Sequence, residues 1–300
     1  MEERGEFLEH LYVHKWEVEQ PLGTVLVSHG MAEHGKRYAH FASFLNSKNL
    51  NVWAVDHRGH GKTAEKSGKF GYLADRDGWD KAADDLKTTA DKIKASFPEL
   101  PIILLGHSAG SILAAYSVLF KKMSVQGLIA SALAPHPGLL LPIGHTVAKL
   151  MSAFQGKDKP GKVMNALTFG DFNKPFKPNR TDFDWLSTDE AQVDKYVADP
   201  WCGFVCCNGF FVDMLGGLRK VHGNLKSTTS GLPVLLLAGA DDPVVGLRKG
   251  FEKNIASFKN TDARVQSVIY AGFRHEILNE KQRERVYKDI WAWIQNRIGL

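Results

Sequence analysis

The chain has 300 residues, of which 44% are hydrophobic and 24% are charged. This composition allows a full core and excludes a disordered, collagen-like or coiled-coil protein. The net charge of +5 is spread along the sequence, so we expect no nucleic-acid partner. The segment Met1–Glu6 lacks the basic flank and apolar core of a signal peptide, and no run reaches the ~18 apolar residues of a membrane helix. We therefore expect a soluble cytoplasmic protein.

Short apolar runs alternate with amphipathic stretches, which predicts strands joined by helices that cross back over a parallel sheet. The alternation of polar and apolar residues in Leu11–Val18 predicts an edge strand. Buried strands are predicted at Thr24–Val27, Asn51–Val55, Ile102–Leu105, Gly127–Ala130, Val234–Ala238 and Val265–Tyr270. Helices are predicted at Arg37–Ser47, Trp79–Ser96, Ala109–Lys121, Gly246–Phe258 and Lys281–Arg297. The fold class is therefore α/β, with a doubly wound and mostly parallel sheet.

The regular alternation stops between about Ala134 and Ser230, where prolines and loop-like tracts interrupt it. This stretch nevertheless holds too many aromatic residues for a solvated linker. Because open α/β sheets bind ligands outside the carboxyl ends of their strands, we interpret it as an inserted helical cap. Completion of the core is the alternative interpretation. The predicted organisation is a first core part at residues 1–134, a cap at 135–229 and a second core part at 230–300.

The three cysteines lie close together in this insertion, at Cys202, Cys206 and Cys207. An odd number in this spacing gives no disulfide framework and matches no common zinc pattern. We expect small apolar side chains in a reducing compartment, and no metal site.

The sequence Gly106-His107-Ser108-Ala109-Gly110 directly follows the apolar run Pro101–Leu105. G-x-S-x-G between a strand and a helix is typical of a nucleophile elbow, whose glycines leave room for a tight reversal that exposes the serine hydroxyl. The motif alone is weak, because chance produces it in roughly one chain in ten of this length. Its position makes Ser108 the candidate nucleophile, with Gly106, His107 and Gly110 as supporting residues.

A serine nucleophile needs a base, and the base needs an acid that fixes its tautomer. His275 follows the last predicted strand, and Asp242 follows the strand Val234–Ala238. Asp241 competes for the role of the acid, but Asp242 directly precedes the loop-forming Pro243 and is preferred. A plain surface-loop histidine is the alternative for His275. The chain order of serine, aspartate and histidine is that of the α/β-hydrolases.

Backbone N–H groups must also stabilise the negative oxygen of a tetrahedral intermediate. One expected donor is Ala109, next to the candidate nucleophile. The other is Met31, in the loop after Thr24–Val27, where Gly30 allows a close approach and His29 supports the loop.

Taken together, these motifs resemble the monoacylglycerol lipase and lysophospholipase branch of the α/β-hydrolases, over about residues 20–135 and 230–300. The resemblance rests on His29-Gly30, Glu33-His34, Arg37-Tyr38, Asp56-His57-Arg58-Gly59-His60-Gly61 and Gly106-His107-Ser108-Ala109-Gly110. It implies a carboxylesterase mechanism through an acyl-enzyme, a cap that admits an acyl chain, and no cofactor. Ala109-Gly110-Ser111 stands where the family commonly has Met-Gly-Gly, and Thr63 where it commonly has serine. These departures concern the fit of the substrate rather than the catalytic groups.

The sequence therefore predicts a serine hydrolase whose substrate is a small acyl ester, with acyl lipids favoured. One alternative is a serine peptidase of the proline iminopeptidase type, for which Glu190, Asp194 and Asp199 are candidate ligands of an α-amino group. Another is a ligand sensor with an idle triad. Ser108 at the elbow disfavours dehalogenases and epoxide hydrolases, which place aspartate there.

One stretch of the predicted cap, Gly203–Leu218, is strongly apolar. A cap helix packed over the pocket is the favoured interpretation. A transient contact with a membrane surface is the alternative, which would make the protein peripheral at a membrane.

Overall fold

The structure is a computed structural model that describes residues 3–136, 138–225, 231–259 and 264–300. Within these residues, eight strands form one sheet in the order β1-β2-β4-β3-β5-β6-β7-β8. The strands are β1 (Arg4–Leu8), β2 (Leu11–Trp16), β3 (Gly23–Ser28), β4 (Leu50–Asp56), β5 (Ile102–His107), β6 (Gly127–Ser131), β7 (Pro233–Gly239) and β8 (Arg264–Tyr270). The strands from β3 to β8 run parallel to one another, and β1 and β2 are antiparallel. The predicted α/β fold with a mostly parallel sheet is confirmed.

Helices connect these strands and cover both faces of the sheet. They are α1 (Ala39–Asn46), α2 (Gly61–Ser67), α3 (Gly78–Ser96), α4 (Ala109–Phe120), α5 (Leu140–Gln155), α6 (Lys162–Phe169), α7 (Glu190–Ala198), α8 (Asn208–Asn224), α9 (Leu247–Lys259) and α10 (Arg283–Ile298). Short 3-10 turns occur at Gly35–Tyr38, Lys174–Phe176 and Ile277–Asn279. None of the described helices combines the length and the hydropathy that a membrane crossing requires.

Alternate residues of each central strand face different halves of the core, as the period of two in a strand requires. Val25 and Val27 pack with α1 and α10 on one face, whereas Leu26 packs with α3 and α4 on the other. The β3 side chains on both faces of the sheet are fully buried. This explains why the central strands have continuous apolar sequences without alternation.

The edge-strand prediction for Leu11–Val18 is wrong. The strand found there, β2, lies between β1 and β4 and pairs with both. The edge strand on this side of the sheet is β1, which has the short and mostly exposed sequence RGEFL. Neither β1 nor α2 was predicted, because both are short and α2 has little apolar periodicity.

The connection between β6 and β7 contains α5, α6, α7 and α8, and it is far longer than any other connection of the sheet. Helix α8 packs against α5 and also against α3 and α4. The insertion therefore rests on α4, the helix that follows the candidate nucleophile, and on its neighbour α3. Because β5, β7 and β8 are parallel, their carboxyl ends bring Ser108, Asp242 and His275 to one edge of the sheet.

Candidate active site

Ser108 lies at a strained turn between β5 and α4. Its φ of 53° and ψ of −122° are unfavourable for a residue with a side chain, which is typical of a constrained functional turn. A Cβ atom at Gly106 would lie 2.5 Å from the carbonyl oxygen of Gly110, and one at Gly110 would lie 2.1 Å from the carbonyl oxygen of Ser28. Both positions therefore require glycine, and the geometry is that expected of a nucleophile elbow.

The imidazole of His275 is paired with the carboxylate of Asp242. His275 Nδ1 lies 3.0 Å from Asp242 Oδ2, and both side chains are almost completely buried. Burial alone would lower the pKa of His275, but the carboxylate of Asp242, together with those of Glu276 and Glu33, raises that pKa above the ordinary value. The neighbouring Asp241 is exposed. Of the two aspartates considered from the sequence, Asp242 is therefore the one that contacts the histidine.

The loop after β3 approaches the elbow, and Gly30, Met31, Ser108, Ala109 and His275 line one common cavity. Ala109 is the first residue of α4, and the first N–H groups of a helix have no partner within that helix. The cavity thus contains the serine, the histidine and the residues expected to supply both backbone donors.

The supporting histidines have defined partners. His29 Nδ1 lies 2.7 Å from the carbonyl oxygen of Gly30, and His29 Nε2 accepts a hydrogen bond of 3.1 Å from the backbone N–H of His57. His107 Nδ1 lies 3.2 Å from Ser131 Oγ, and its ring centre is 4.7 Å from that of His275. Burial, followed by the nearby His275, lowers the pKa of His107 to about 4. His107 is therefore uncharged at neutral pH and adds no positive charge beside His275.

The cavity has a volume of about 890 Å³, within the range of small-molecule sites. It continues from Ser108 between α4 and the insertion. Its apolar walls include Ile112, Phe169, Phe204, Met214, Leu215 and Leu218. Such a volume and lining fit a long apolar group next to a hydrolytic centre.

A buried ion cluster, not predicted from the sequence, adjoins this cavity. Arg37 Nη1 lies 2.7 Å from Glu33 Oε2 and 2.6 Å from Glu276 Oε1, and Arg37 Nη2 lies 2.7 Å from Glu276 Oε2. Glu33 Oε1 also accepts the backbone N–H of Gly30 at 2.5 Å. The cluster therefore joins the loop that carries Met31 to the loop that carries His275.

The ionisation of this cluster follows from its geometry. Burial would raise the pKa of Glu276, but the Arg37 guanidinium lowers it to about 2. Glu33 and Arg37 were recognised only as part of a family motif. For Glu276, the one sequence feature that could have pointed to a role is its position directly after His275. Its partner Arg37 is 239 residues away in the sequence.

The insertion also contacts the histidine loop. The backbone N–H of Glu276 donates to the carbonyl oxygen of Leu186 at 2.7 Å, and that of His275 to the carbonyl oxygen of Trp185 at 3.4 Å. The Trp185 ring centre lies 5.1 Å from that of His275. One side of the imidazole is thus covered by an aromatic ring of the insertion.

The three acids considered as ligands of an α-amino group do not line the cavity. Arg180 pairs with Asp194 and lies near Glu190, and Asp199 Oδ2 lies 2.9 Å from His34 Nε2. The segment Gly203–Leu218 is not an exposed apolar surface either, since Phe210 and Phe211 are buried. The burial of this segment therefore fits the interpretation as a packed helix better than that as a membrane-contacting surface.

Two groups of side chains have the residue types of a metal site, His14 with His34 and Asp56, and His34 with Asp199 and Cys202. In the first, His14 Nε2 lies 3.1 Å from Asp56 Oδ1. In the second, His34 Nε2 lies 2.9 Å from Asp199 Oδ2. Hydrogen bonds within each group account for these contacts. Burial raises the pKa of the Cys202 thiol, which disfavours the thiolate that a metal needs.

Comparison with known proteins identifies the family of this chain. Residues 19–282 match the family described as serine aminopeptidase, S33. A monoacylglycerol lipase of Mycolicibacterium smegmatis is 30% identical over 93% of this chain and 90% of its own length. A human monoglyceride lipase is 27% identical over 96% of this chain and 88% of its own length.

Among solved structures, a highly thermostable carboxyl esterase from Bacillus coagulans, in complex with glycerol, superposes with a TM-score of 0.89. It is 26% identical, and the match covers 99% of this chain and 98% of that one. The resemblance noted in the sequence is thereby confirmed along nearly the whole chain. This chain is an enzyme of the serine aminopeptidase S33 family and belongs to the monoacylglycerol lipase-like branch of the α/β-hydrolases.

Proposed function

We propose that this enzyme hydrolyses carboxylic esters of acyl lipids, of the monoacylglycerol or lysophospholipid type. The observation that carries the proposal is the joint presence of Ser108, His275 and a large apolar extension in one cavity. The pairing of His275 with Asp242 supports the same conclusion. Relatives named monoacylglycerol lipase make lipid esters the first class to test.

The proposed chemistry uses three side chains and two backbone groups. His275 takes the proton of Ser108 as the serine oxygen attacks the ester carbonyl, and Asp242 holds the imidazole and stabilises its charged form. The N–H groups of Met31 and Ala109 receive the negative oxygen. His275 then protonates the departing alcohol, which leaves an acyl-enzyme on Ser108. A water molecule, deprotonated by His275, attacks this ester and releases the fatty acid.

We also propose that residues 135–229 act as a cap for the acyl chain, and that 1–134 and 230–300 form the catalytic core. Phe169, Phe204, Met214, Leu215 and Leu218, all within this range, line the cavity. Each buried methylene of a substrate contributes about 0.8 kcal/mol. Lengthening the acyl chain by two carbons should therefore raise kcat/KM by up to about 15-fold, until the apolar extension is filled.

An aminopeptidase is the main alternative, because the family description includes that activity. It would require a carboxylate free to bind a substrate ammonium group. Glu33, Glu276 and Asp182 line the cavity. Arg37, Tyr38, Asn279 and the backbone of Gly30 occupy all four oxygens of the two buried glutamates, and Asp182 is exposed to solvent. This arrangement favours an ester substrate without an α-amino group.

An ester panel tests the substrate class. Monoacylglycerols and lysophospholipids of increasing acyl length should be turned over, whereas aminoacyl-naphthylamides should not. Preferred turnover of the naphthylamides would contradict the proposal. The sensor alternative predicts little reaction with a fluorophosphonate probe, whereas a working triad predicts rapid labelling.

Two serine variants test the nucleophile. Ser108→Ala should lose both turnover and fluorophosphonate labelling. Ser117→Ala is the matched control, because Ser117 lies in the same helix, does not line the cavity, and donates its hydroxyl to the carbonyl oxygen of Leu113. Native esterase rates in Ser108→Ala would refute the mechanism.

Contact with a lipid surface is also proposed, but through α5 and α6 rather than through Gly203–Leu218. Leu140 is 70% exposed, Ile143 59%, Phe154 81% and Leu167 68%. Spacings of three and eleven residues, close to whole turns of an α-helix, place the three α5 side chains along one face. The segment 136–157 contains basic but no acidic residues. An exposed apolar stripe of this kind fits the interface of an anionic bilayer.

Vesicle co-sedimentation checks this surface. The double variant Ile143→Ser with Phe154→Ser should bind phosphatidylglycerol vesicles several-fold more weakly, while hydrolysis of a short soluble ester is unchanged. Val197→Ser is the control, because Val197 is 52% exposed on a different cap helix. Equal binding of both variants and the unchanged protein would exclude this surface.

A further inference from the structure

The loop that carries Met31 is held from the side of the insertion as well as from the core. The carbonyl oxygen of Ala32 accepts the hydroxyl of Tyr196 at 2.9 Å and the backbone N–H of Gly203 at 3.0 Å. Tyr196 belongs to α7, and Gly203 lies between α7 and α8. Both donors therefore come from the stretch between β6 and β7.

Ala32 is a position where such support matters. Its φ is +53°, in the left-handed region that residues with a Cβ rarely adopt. An unfavourable backbone conformation persists only when its surroundings hold it. Because Ala32 directly follows Met31, a change in its backbone angles moves the Met31 peptide unit.

Tyr196 is itself rigidly placed. Its side chain is buried, and its ring lies over the Arg37 guanidinium, 4.8 Å from ring centre to Cζ. Burial raises the pKa of Tyr196 well above the ordinary value, so the hydroxyl keeps the proton that it donates. Tyr196 also lines the cavity, but its hydroxyl proton is donated to the carbonyl oxygen of Ala32.

We propose that Tyr196 is a positioning residue for the oxyanion hole, acting through the Ala32 carbonyl on the Met31 N–H. The inference rests on the proposed ester hydrolysis, in which Met31 stabilises the tetrahedral intermediate. It makes the docked cap a part of the catalytic apparatus, since displacement of α7 removes a hydrogen bond that fixes the loop. The position of α7 and the stabilisation of the oxyanion are thereby coupled through one phenol.

The variant Tyr196→Phe removes only the hydroxyl and retains the ring over Arg37. The Gly203 hydrogen bond remains, so we expect kcat to fall about tenfold, less than the 10²–10³ loss on deletion of an oxyanion donor. KM should change little, because the ground-state ester does not need the donor. Tyr116→Phe is the control, because the Tyr116 hydroxyl bonds to Asp80 and the residue does not line the cavity.

Two inhibitors separate positioning from substrate contact. The Ser108 oxygen adds to the carbonyl carbon of a long-chain trifluoromethyl ketone, its proton passes to His275, and the ketone oxygen becomes a tetrahedral oxyanion. Its affinity for Tyr196→Phe should fall by the same factor as kcat. A non-hydrolysable alkyl glycerol ether resembles the ground state and should bind equally well to both proteins. Rates are expressed per active site, and active sites are counted by fluorophosphonate labelling to completion. Unfolded protein therefore does not lower the calculated rate.

Unchanged kcat and ketone affinity in Tyr196→Phe would overturn the inference. So would a loss that appears in KM and in ether affinity, because Tyr196 would then be a substrate contact. Failure of the proposed function looks different, since the unchanged protein would then neither hydrolyse the esters nor bind the ketone.

Discussion

Arg37 provides a sharp test of how the buried charges stabilise the site. Its guanidinium contacts three carboxylate oxygens at 2.6–2.7 Å. The side chains of Arg37, Glu33 and Glu276 are 11%, 5% and 6% exposed. Replacing Arg37 by Gln leaves two buried carboxylates without their cation, which costs about 3–5 kcal/mol of unfolding free energy.

The pH dependence of the unfolding free energy predicts at which pH Arg37→Gln is destabilised most. With Arg37 present, the pKa of Glu276 is lowered to about 2, so its stabilisation is present above its unfolded pKa and is lost only as the pH falls towards 2. Without Arg37, burial dominates and raises the pKa of Glu276 in the folded protein above its pKa in the unfolded chain. Arg37→Gln should therefore be most destabilised at pH 7.5 and should recover part of its stability at pH 5.5.

Urea unfolding followed by tryptophan fluorescence at the two pH values measures this effect. Arg180→Gln is the control, because Arg180 and its partner Asp194 are exposed, and no measurable change is expected. Adding Glu276→Gln to Arg37→Gln should restore about 1–3 kcal/mol at pH 7.5, since a neutral amide replaces an unpaired charge. A loss below about 1 kcal/mol for Arg37→Gln, or a further loss at pH 5.5, would refute the reasoning.

Two other substitutions test the catalytic geometry. Asp242→Asn should lower kcat about 10⁴-fold. Any residual activity should extend to lower pH, because His275 loses a charge that raises its pKa. Asp241→Asn is the control, and equal losses of kcat for the two variants in steady-state assays would contradict the assignment of Asp242. Gly110→Ala should yield little folded protein, because its Cβ would lie 2.1 Å from a backbone oxygen. Gly144→Ala, where nothing lies within 4 Å, should leave the melting temperature unchanged or slightly raised.

The sequence predicted the central strands well for a physical reason. A strand buried on both faces is a continuous apolar run such as Pro101–Leu105, and no tertiary information is needed to see it. Ser108, Asp242 and His275 could be proposed from the positions of these strands, because a site at the carboxyl end of a parallel sheet is built from the residues that follow each strand.

Other features depended on distant contacts and could not be predicted. Strand β1 exists because Arg4–Leu8 pairs with β2, although its own side chains are mostly exposed. The roles of Arg37 and Tyr196 come from partners far away in the sequence, Glu276 and Ala32. A buried ion pair of this kind has no local sequence signature, because charged residues on helices are usually solvated.

The contacts between the insertion and the histidine loop have a consequence for how this enzyme can diversify. Trp185 and Leu186 hold the His275 loop through their carbonyl oxygens, which every amino acid possesses. Apolar side chains such as Leu215 and Leu218 line the cavity instead. Substitutions that reshape the acyl site can therefore accumulate in evolution or in directed engineering while these main-chain hydrogen bonds persist. In the proposed function, these side chains would set the substrate preference, whereas main-chain atoms of the same segment hold the His275 loop.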